Sequence, residues 1–241
     1  MGRILKVLTI IMAIAFLIGI PLFCYTLGQK NIAKQEFSET AVKMQESIDA
    51  NDRDATTDTY NYETYKAMLN YAISNLDESE QLVHINIGFG SLDHGLKYIN
   101  DTYGHLNGRP AIQDFAALLK EVFPPEEGWT IAHRGGSAFL VFGTGQFDED
   151  KLLGYYEQMR SKWHDTPYQV ADGSGTVEGM ALYFCASVAP ECGTGFRSLR
   201  DVLIYKKLAL RDLTNCGYVI VTSPDHYICS EEIDETAYME D

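Results

Sequence analysis

Residues 7–29 form an uncharged, apolar run that constrains the chain more than any other feature of its sequence. The run is rich in Ile, Leu and Phe and contains no Asp, Glu, Lys or Arg. A helix of roughly 20 apolar residues crosses the hydrocarbon core of a bilayer, and Pro21 is tolerable in such a helix. A cleaved signal peptide is the alternative, but the run is longer than the apolar segment of a typical signal and is not followed by an A-x-A cleavage site. The sequence therefore predicts a single transmembrane helix that is retained as an anchor.

Residues 30–50 carry a narrow apolar stripe in which Phe37, Ala41, Met44 and Ile48 recur at intervals of four, three and four residues. This spacing is typical of an amphipathic helix. We predict a helical stalk here, followed by a folded domain that begins near residue 52. The stripe could pair two chains as a short coiled coil, which would give a homodimer through the stalk. A single helix resting on the domain or on the membrane surface is the alternative, and both stay open because the stripe is shorter than three heptads.

The charge balance excludes one class of partner. The chain has 34 acidic and 19 basic side chains, which give a formal net charge of −15. A surface this negative repels nucleic-acid phosphates, so we predict no DNA or RNA partner. The five cysteines show no C-x-x-C pair or zinc-like spacing, which favours free thiols. The disulfide state stays open for the four that follow the membrane segment: Cys185, Cys192, Cys216 and Cys229.

Strands and helices interleave between residues 62 and 222, with a hairpin in the middle of the order. Residues 82–87 alternate and are rich in β-branched side chains, which is typical of a strand. Two further strands, residues 130–133 and 139–142, flank a Gly-Gly pair and predict a hairpin. The other predicted elements are helices at 62–76, 97–103, 110–123, 148–163 and 198–213 and strands at 180–188 and 218–222. The predicted class is α+β, with helices flanking a central, mostly antiparallel sheet. The acidic tail, residues 225–241, is predicted to be disordered from residue 231 onward.

Several segments resemble, in order, the GGDEF family of diguanylate cyclases. Residues 54–61, D-A-T-T-D-T-Y-N, resemble the opening D-x-L-T-G-L-x-N of that family, and residues 99–105, I-N-D-T-Y-G-H, match its I-N-D-x-x-G-H segment throughout. Residues 134–139, R-G-G-S-A-F, occupy the place of the G-G-[DE]-E-F signature. Residues 186–189 and 199–213 resemble the closing strand and helix. The resemblance covers residues 52–224 and implies the palm-like fold of nucleotidyl cyclases.

The resemblance also implies a chemistry, for which this sequence lacks the usual groups. Active members join two GTP molecules into cyclic di-GMP across a dimer, and divalent metal ions held by carboxylates carry the charge that develops. The strand aspartate of the family corresponds here to Asn86, and the acidic pair of the signature corresponds to Ser137 and Ala138. We therefore predict a degenerate domain without catalytic residues, metal or cofactor. The alternative is an active cyclase in which an insertion at residues 88–93 supplies Asp93 as a substitute magnesium ligand.

Nucleotide recognition is altered as well, according to the same resemblance. Asn100 matches the asparagine that reads guanine, but the aspartate nine residues later is Arg109, and a guanidinium has no acceptor for the N1–H and N2–H₂ edge of guanine. We predict a vestigial nucleotide site at Asn100, Arg109, Gly135 and Gly136. The R-x-x-D product site of the family is absent, since residues 126–129 read E-E-G-W.

Together these expectations describe a membrane-anchored, catalytically inactive signalling domain of the cyclic di-GMP type found in bacterial signal transduction. It is expected to act by contacting a protein partner or by sensing a guanine nucleotide, with residues 7–29 in the cell membrane. The positive-inside rule gives close to a tie between Arg3 and Lys6 on one side and Lys30 and Lys34 on the other. Resemblance to a cytosolic signalling domain favours the cytoplasmic face.

Overall fold

The strand that organises the domain is β1, Gln81–Gly88, whose side chains are buried from Leu82 to the end of the strand. The computed structural model describes residues 52–90 and 94–239. Strand β1 pairs antiparallel with a neighbour on each side, so both of its edges are hydrogen-bonded. Helices also cover both faces of the sheet. The apolar side chains on one face of β1 and the polar side chains on the other are therefore both removed from water.

The described elements follow one another in an interleaved order. The helices are α1 (Tyr62–Ser74), α2 (Leu96–Tyr103), α3 (His105–Val122), α4 (Glu149–Trp163) and α5 (Phe196–Leu213). The strands after β1 are β2 (Thr130–Gly135), β3 (Ala138–Gly145), β4 (Tyr168–Gln169), β5 (Thr176–Val177), β6 (Leu182–Ala189), β7 (Cys216–Ser223) and β8 (His226–Cys229). Short 3₁₀ turns occur at Pro125–Glu127 and Thr236–Tyr238.

The main sheet has six strands in the order β2-β3-β1-β6-β7-β8, and β4 and β5 form a separate small hairpin. Only the β6–β7 pairing is parallel among the five pairings of that sheet, because α5 crosses over between these two strands. The predicted α+β class is therefore confirmed, and the sheet is mixed, with antiparallel pairings predominating.

The two faces of the sheet carry separate hydrophobic clusters. One face packs against α3 and α4 through a buried aromatic group that includes Phe89, Phe115, Phe139 and Trp163. Centroids of the Phe115 and Trp163 rings are 4.8 Å apart in an edge-to-face contact, an arrangement that adds to the stabilisation from burial alone. The opposite face packs against α1 and α5 through Tyr65, Leu69, Leu199 and Leu203, among others.

One helix begins well before its predicted start. The helix that was predicted to begin at Pro110 begins at His105, with Pro110 inside it. Pro110 has no N–H to donate to the carbonyl of Leu106 in the first helical turn, and the helix nevertheless continues to Val122. The hairpin was predicted correctly, with Gly135 ending β2 and Gly136 in the turn.

The prediction of a disordered acidic tail is wrong for residues 231–239. Strand β8 extends the sheet beyond residue 224 by pairing antiparallel with β7. Beyond it, Ile233 is buried, and both carboxylate oxygens of Glu235 accept hydrogen bonds from Lys206 Nζ, at 2.7 and 2.6 Å. Specific contacts hold this segment on α5 in spite of its negative charge.

The predicted transmembrane helix, the stalk and Asp93 lie outside the described residues. Within residues 52–90 and 94–239, no helix combines the length and the apolar character needed to span a bilayer.

Candidate functional site

The signature hairpin depends on glycine at both of its central positions. Gly135 has a φ of +118° and Gly136 a φ of +58°, conformations that side-chain-bearing residues rarely adopt. A register shift between His133 and Gly135 marks a bulge at the end of β2. The turn then places Ser137 at its tip and Ala138 at the start of β3.

The positions that correspond to metal ligands in the resemblance meet at the end of β1. Asn86 pairs with Leu140 and Gly88 pairs with Ala138, so Asn86 and Ala138 lie on the same face of neighbouring strands. Asn86 is 4% exposed, and its Oδ1 accepts a hydrogen bond from Lys207 Nζ at 3.2 Å. The Ser137 hydroxyl instead lies against Gly90, where any Cβ would clash with it. The structure therefore brings two of the three positions to one face and turns the third away.

Gly88 is required by the close approach of two neighbours. A Cβ at this position would lie 2.6 Å from the hydroxyl oxygen of Tyr183 and would also clash with the backbone carbonyl of Ser137. Tyr183 is buried over the end of β1, and Lys207 Nζ lies 4.6 Å from the centre of its ring. The space beside Asn86 is thus filled by a tyrosine ring and an ammonium group.

We expect Gly88→Ala to destabilise the domain by roughly 2–3 kcal/mol, because the backbone carbonyl of Ser137 cannot move aside without disturbing the hairpin. Gly154→Ala in α4 is the matched control, since a Cβ there meets no atom within 4 Å. In mid-helix that change should stabilise by about 0.5–1 kcal/mol. Urea unfolding of both variants measures the difference, and equal effects at the two positions would contradict this account of Gly88.

Lys207 lies in an unusually positive environment for so acidic a chain. Burial lowers the pKa of its ammonium to about 8; the Cys185 thiol opposes this shift, and Arg134 and Arg211 add to it. Lys207 lies on α5 at an interval of four residues from Leu203 and eight from Leu199, so it lies on the same face of that helix as these buried leucines, where it is half-buried. A lysine within an apolar stripe is a signal that the sequence analysis missed.

A divalent metal ion does not fit these groups. Magnesium requires hard oxygen ligands, above all carboxylates, and this corner offers a neutral amide at Asn86, a methyl at Ala138 and a hydroxyl that points elsewhere. The group that donates a hydrogen bond to Asn86 is a cation, the ammonium of Lys207. Throughout residues 52–90 and 94–239, no three His, Cys, Asp or Glu side chains are grouped so that they could hold a metal ion.

His84 lies two residues before Asn86 on the same face of β1 and is fully buried. The Tyr65 hydroxyl donates to the carbonyl of Val141 at 2.9 Å. Because the single hydroxyl proton of Tyr65 is used in this way, the Tyr65 hydroxyl oxygen accepts a hydrogen bond from His84 Nδ1, 2.8 Å away. The neutral His84 ring therefore carries its proton on Nδ1. Nε2 has no hydrogen-bond partner. Burial lowers the pKa of His84 to about 3, with additional repulsion from Arg134 and Lys207.

A pocket of about 320 Å³ lies between α2, α3 and the opening segment of the domain. It brings together Asn100 and Arg109. Its lining consists of Thr56, Leu96, Asn100, His105, Gly108, Arg109, Ile112 and His133. Gly108 allows the Asn100 side chain to lie directly against the helix, because a Cβ there would clash with Asn100 Oδ1. Gly135 and Gly136, which were predicted to join this site, are exposed in the hairpin and do not line the pocket.

His133 connects the pocket to the hairpin and was missed in the sequence, where only its place in a predicted strand was visible. Its Nδ1 is 3.1 Å from Asp54 Oδ1, and its Nε2 is 2.9 Å from the carbonyl oxygen of Gly136. Asp54 Oδ1 also accepts hydrogen bonds from the backbone N–H groups of Thr56 and Thr57. Burial raises the pKa of Asp54, but hydrogen bonds from His133 and Thr57 outweigh it, so the net shift is downward.

The six-stranded mixed sheet with helices on both faces places the domain in the nucleotidyl-cyclase-like α+β class. Residues 51–179, more than half of the chain, match the model of the family described as diguanylate cyclase, GGDEF domain. The chain therefore belongs to the GGDEF domain family. No curated protein matches it.

Solved structures of GGDEF domains share the fold at low sequence identity. The GGDEF domain of TpbB, also called YfiN, from Pseudomonas aeruginosa is 22% identical, with a TM-score of 0.60 over 70% of this chain and 94% of that one. A sensory box/GGDEF family protein from Caulobacter crescentus is 23% identical, with a TM-score of 0.55 over 65% of this chain and 97% of that one. The GGDEF domain of Caulobacter crescentus DgcB, solved in complex with c-di-GMP, is 17% identical, with a TM-score of 0.61 over 73% of this chain and 98% of that one.

Proposed function

We propose that the chain is a membrane-anchored GGDEF protein that does not make cyclic di-GMP and that signals by binding. The observation that carries the proposal is the hydrogen bond of 3.2 Å between Lys207 Nζ and Asn86 Oδ1. It puts a positive charge at the strand position where the chemistry of the family needs a metal-binding carboxylate. Ala138, on the same face, contributes only a methyl group.

The reaction itself explains why this exchange matters. Attack of a ribose 3′-hydroxyl on an α-phosphate builds negative charge on the phosphoryl oxygens, and metal ions neutralise that charge and orient the reacting groups. The charge at positions 86, 137 and 138 is zero here, where two or three carboxylates would supply the negative charge that holds the dications. Without them the substrates lose both their charge neutralisation and their alignment.

Binding, by contrast, has a suitable pocket. Asn100 and Arg109 line it together, and Arg109 is exposed with no ion-pair partner in the described part of the chain. Arginine presents five donors and no acceptor. It therefore favours a ligand that offers acceptors, such as a phosphate or the O6/N7 edge of guanine, over the N1–H and N2–H₂ edge that an aspartate would read. A guanine nucleotide is one candidate ligand, and an acidic segment of a protein partner has the same acceptor chemistry.

We expect no cyclic di-GMP above a no-protein control when the full chain is incubated with GTP and either Mg²⁺ or Mn²⁺. Calorimetric titration should show that Arg109→Asp binds GTP about tenfold more weakly than the unchanged chain, since a paired contact to a base edge, which the change would remove, contributes about 1–3 kcal/mol. Lys97→Asp on α2, outside the pocket lining, is the control for the change of charge. Product formation that disappears when Asp93 is replaced would instead establish the active cyclase with a substitute ligand.

The proposal includes anchoring through residues 7–29, dimerisation through the stalk and a cytoplasmic domain. A membrane-impermeant maleimide applied to intact cells tests the orientation. Cys229 is the suitable target because it is partly exposed, whereas Cys185 and Cys192 are buried. We expect Cys229 to remain unlabelled until the cells are permeabilised, with Cys229→Ser as the control for labelling elsewhere. Labelling of Cys229 in intact cells would show that the domain lies on the outer face of the membrane.

A further inference from the structure

We propose that Lys207 is a built-in ammonium that occupies the cation position of the site, so that returning carboxylates to positions 86 and 138 does not by itself restore metal binding. The inference rests on the proposed function in one respect, the loss of the metal. It goes further by assigning a residue that excludes the metal actively. The lost carboxylates and Lys207 are then two separate barriers.

The contacts of Lys207 confine its ammonium to this place. Nζ donates to Asn86 Oδ1 at 3.2 Å and lies 4.6 Å from the centre of the Tyr183 ring. Tyr183 in turn lies against Gly88, with its hydroxyl oxygen 2.6 Å from the point where a Cβ would be. Asn86, Gly88 and Tyr183 belong to two paired strands, in which Gly88 pairs directly with Tyr183. The ammonium is therefore held between a buried amide oxygen and an aromatic face, both of which attract cations.

A divalent ion would have to share this space with positive charge on several sides. Arg134 on the hairpin and Arg211, one helical turn beyond Lys207 on α5, both lie close enough to shift the ionisation of Lys207. A carboxylate introduced at position 86 would meet the ammonium first and form an ion pair with it.

Manganese binding by designed variants of the full chain tests this assignment. The free Mn²⁺ signal in electron paramagnetic resonance would be measured for the unchanged chain, for Asn86→Asp/Ala138→Glu, and for the same pair with Lys207→Met. We expect the first two to bind equally weakly and the third to bind at least tenfold more tightly. Lys162→Met in the two-carboxylate background is the matched control, because Lys162 lies on α4 at the opposite face of the sheet. Tight binding with Lys207 in place, or no gain from Lys207→Met, would overturn the assignment.

A second measurement covers the case in which the triple variant does not fold. In the presence of EDTA, Asn86→Asp should raise the unfolding midpoint when Lys207 is present and lower it in the Lys207→Met background. Equal effects in both backgrounds would contradict an ion pair and with it the assignment. The proposed function has its own readout, since cyclic di-GMP synthesis by the unchanged chain would refute that function whatever the variants bind.

Discussion

Lowering the pH from about 6.5 toward 4 should destabilise the domain by roughly 1.4 kcal/mol for each pH unit, because His84 must remain neutral in the folded state. Burial, with repulsion from Arg134 and Lys207, lowers the pKa of His84 to about 3. The unfolded chain has the ordinary histidine pKa of about 6.5. Between these two values only the unfolded state binds the proton. Stability is therefore complete above the unfolded pKa and is lost as the pH falls toward the folded one.

The geometry around His84 explains why protonation is so unfavourable. Nδ1–H is already used by the Tyr65 hydroxyl, whose own proton goes to the carbonyl of Val141. A second proton would be placed on Nε2, which faces no acceptor. The charged ring would then be buried without a counter-ion, at a cost of several kcal/mol. Asp54 makes a smaller stabilising contribution of its own, because its pKa is lowered in the folded state. This contribution is present above the ordinary pKa of an aspartate and is lost as the pH falls below that value.

Urea unfolding at several pH values between 6.5 and 4.5 measures this dependence. His84→Asn keeps a donor near the Nδ1 position but cannot titrate, so it should be less stable at neutral pH and show a much flatter pH dependence. His105→Asn is the matched control, because His105 is exposed, and its slope should equal that of the unchanged chain. A slope that survives His84→Asn would mean that other groups cause the acid sensitivity.

His84 also shows where the sequence stops being informative. Alternation correctly predicts that residues 82–87 form a strand, and an alternating strand normally exposes its polar face. Here α1 and α5 cover that face as well, so His84 and Asn86 are buried among groups far away in sequence. No local pattern specifies Tyr65 as the partner of His84. In contrast, Asn100 and Arg109 lie on two consecutive helices, α2 and α3, that are separated only by Gly104, so their proximity in one pocket depends on a short segment of the sequence.

The residues that the sequence analysis missed make contacts between segments that are far apart in the sequence. Lys207 could have been noticed, since it follows Leu199 and Leu203 at helical spacing and so lies on the same face of α5 as these buried leucines. His133 offers no comparable signal, because its two partners, Asp54 and Gly136, come from separate segments that only the fold brings together. Charge composition misled the prediction for the C-terminal segment, where a few specific contacts outweigh the average.

One of those contacts leads to the second large effect. Glu235→Gln should destabilise the domain by about 3 kcal/mol, because it leaves the Lys206 ammonium buried without its counter-ion. The Lys206 side chain is 9% exposed, and its Nζ lies 2.6 Å from one carboxylate oxygen of Glu235. The same ammonium also lies 4.7 Å from the centre of the Tyr227 ring, which offers attraction but no formal charge. The glutamine side chain would keep one acceptor oxygen in place of two and would not neutralise the cation.

The matched control is Glu157→Gln, which breaks an ion pair of 3.2 Å between Glu157 and Arg160 on the surface of α4. Both of those side chains are well exposed, so we expect a loss of no more than about 0.5 kcal/mol. Lys206→Met/Glu235→Leu provides a further comparison, since an apolar pair of similar volume often replaces a buried ion pair without loss. It should regain most of the stability that Glu235→Gln loses.

If Glu235→Gln and Glu157→Gln lower the free energy of unfolding in urea by the same amount, the C-terminal segment is only loosely held on α5 in solution. A large difference would show that residues beyond β8 belong to the cooperative unit, because a frayed segment could not transmit the loss of one carboxylate to global unfolding.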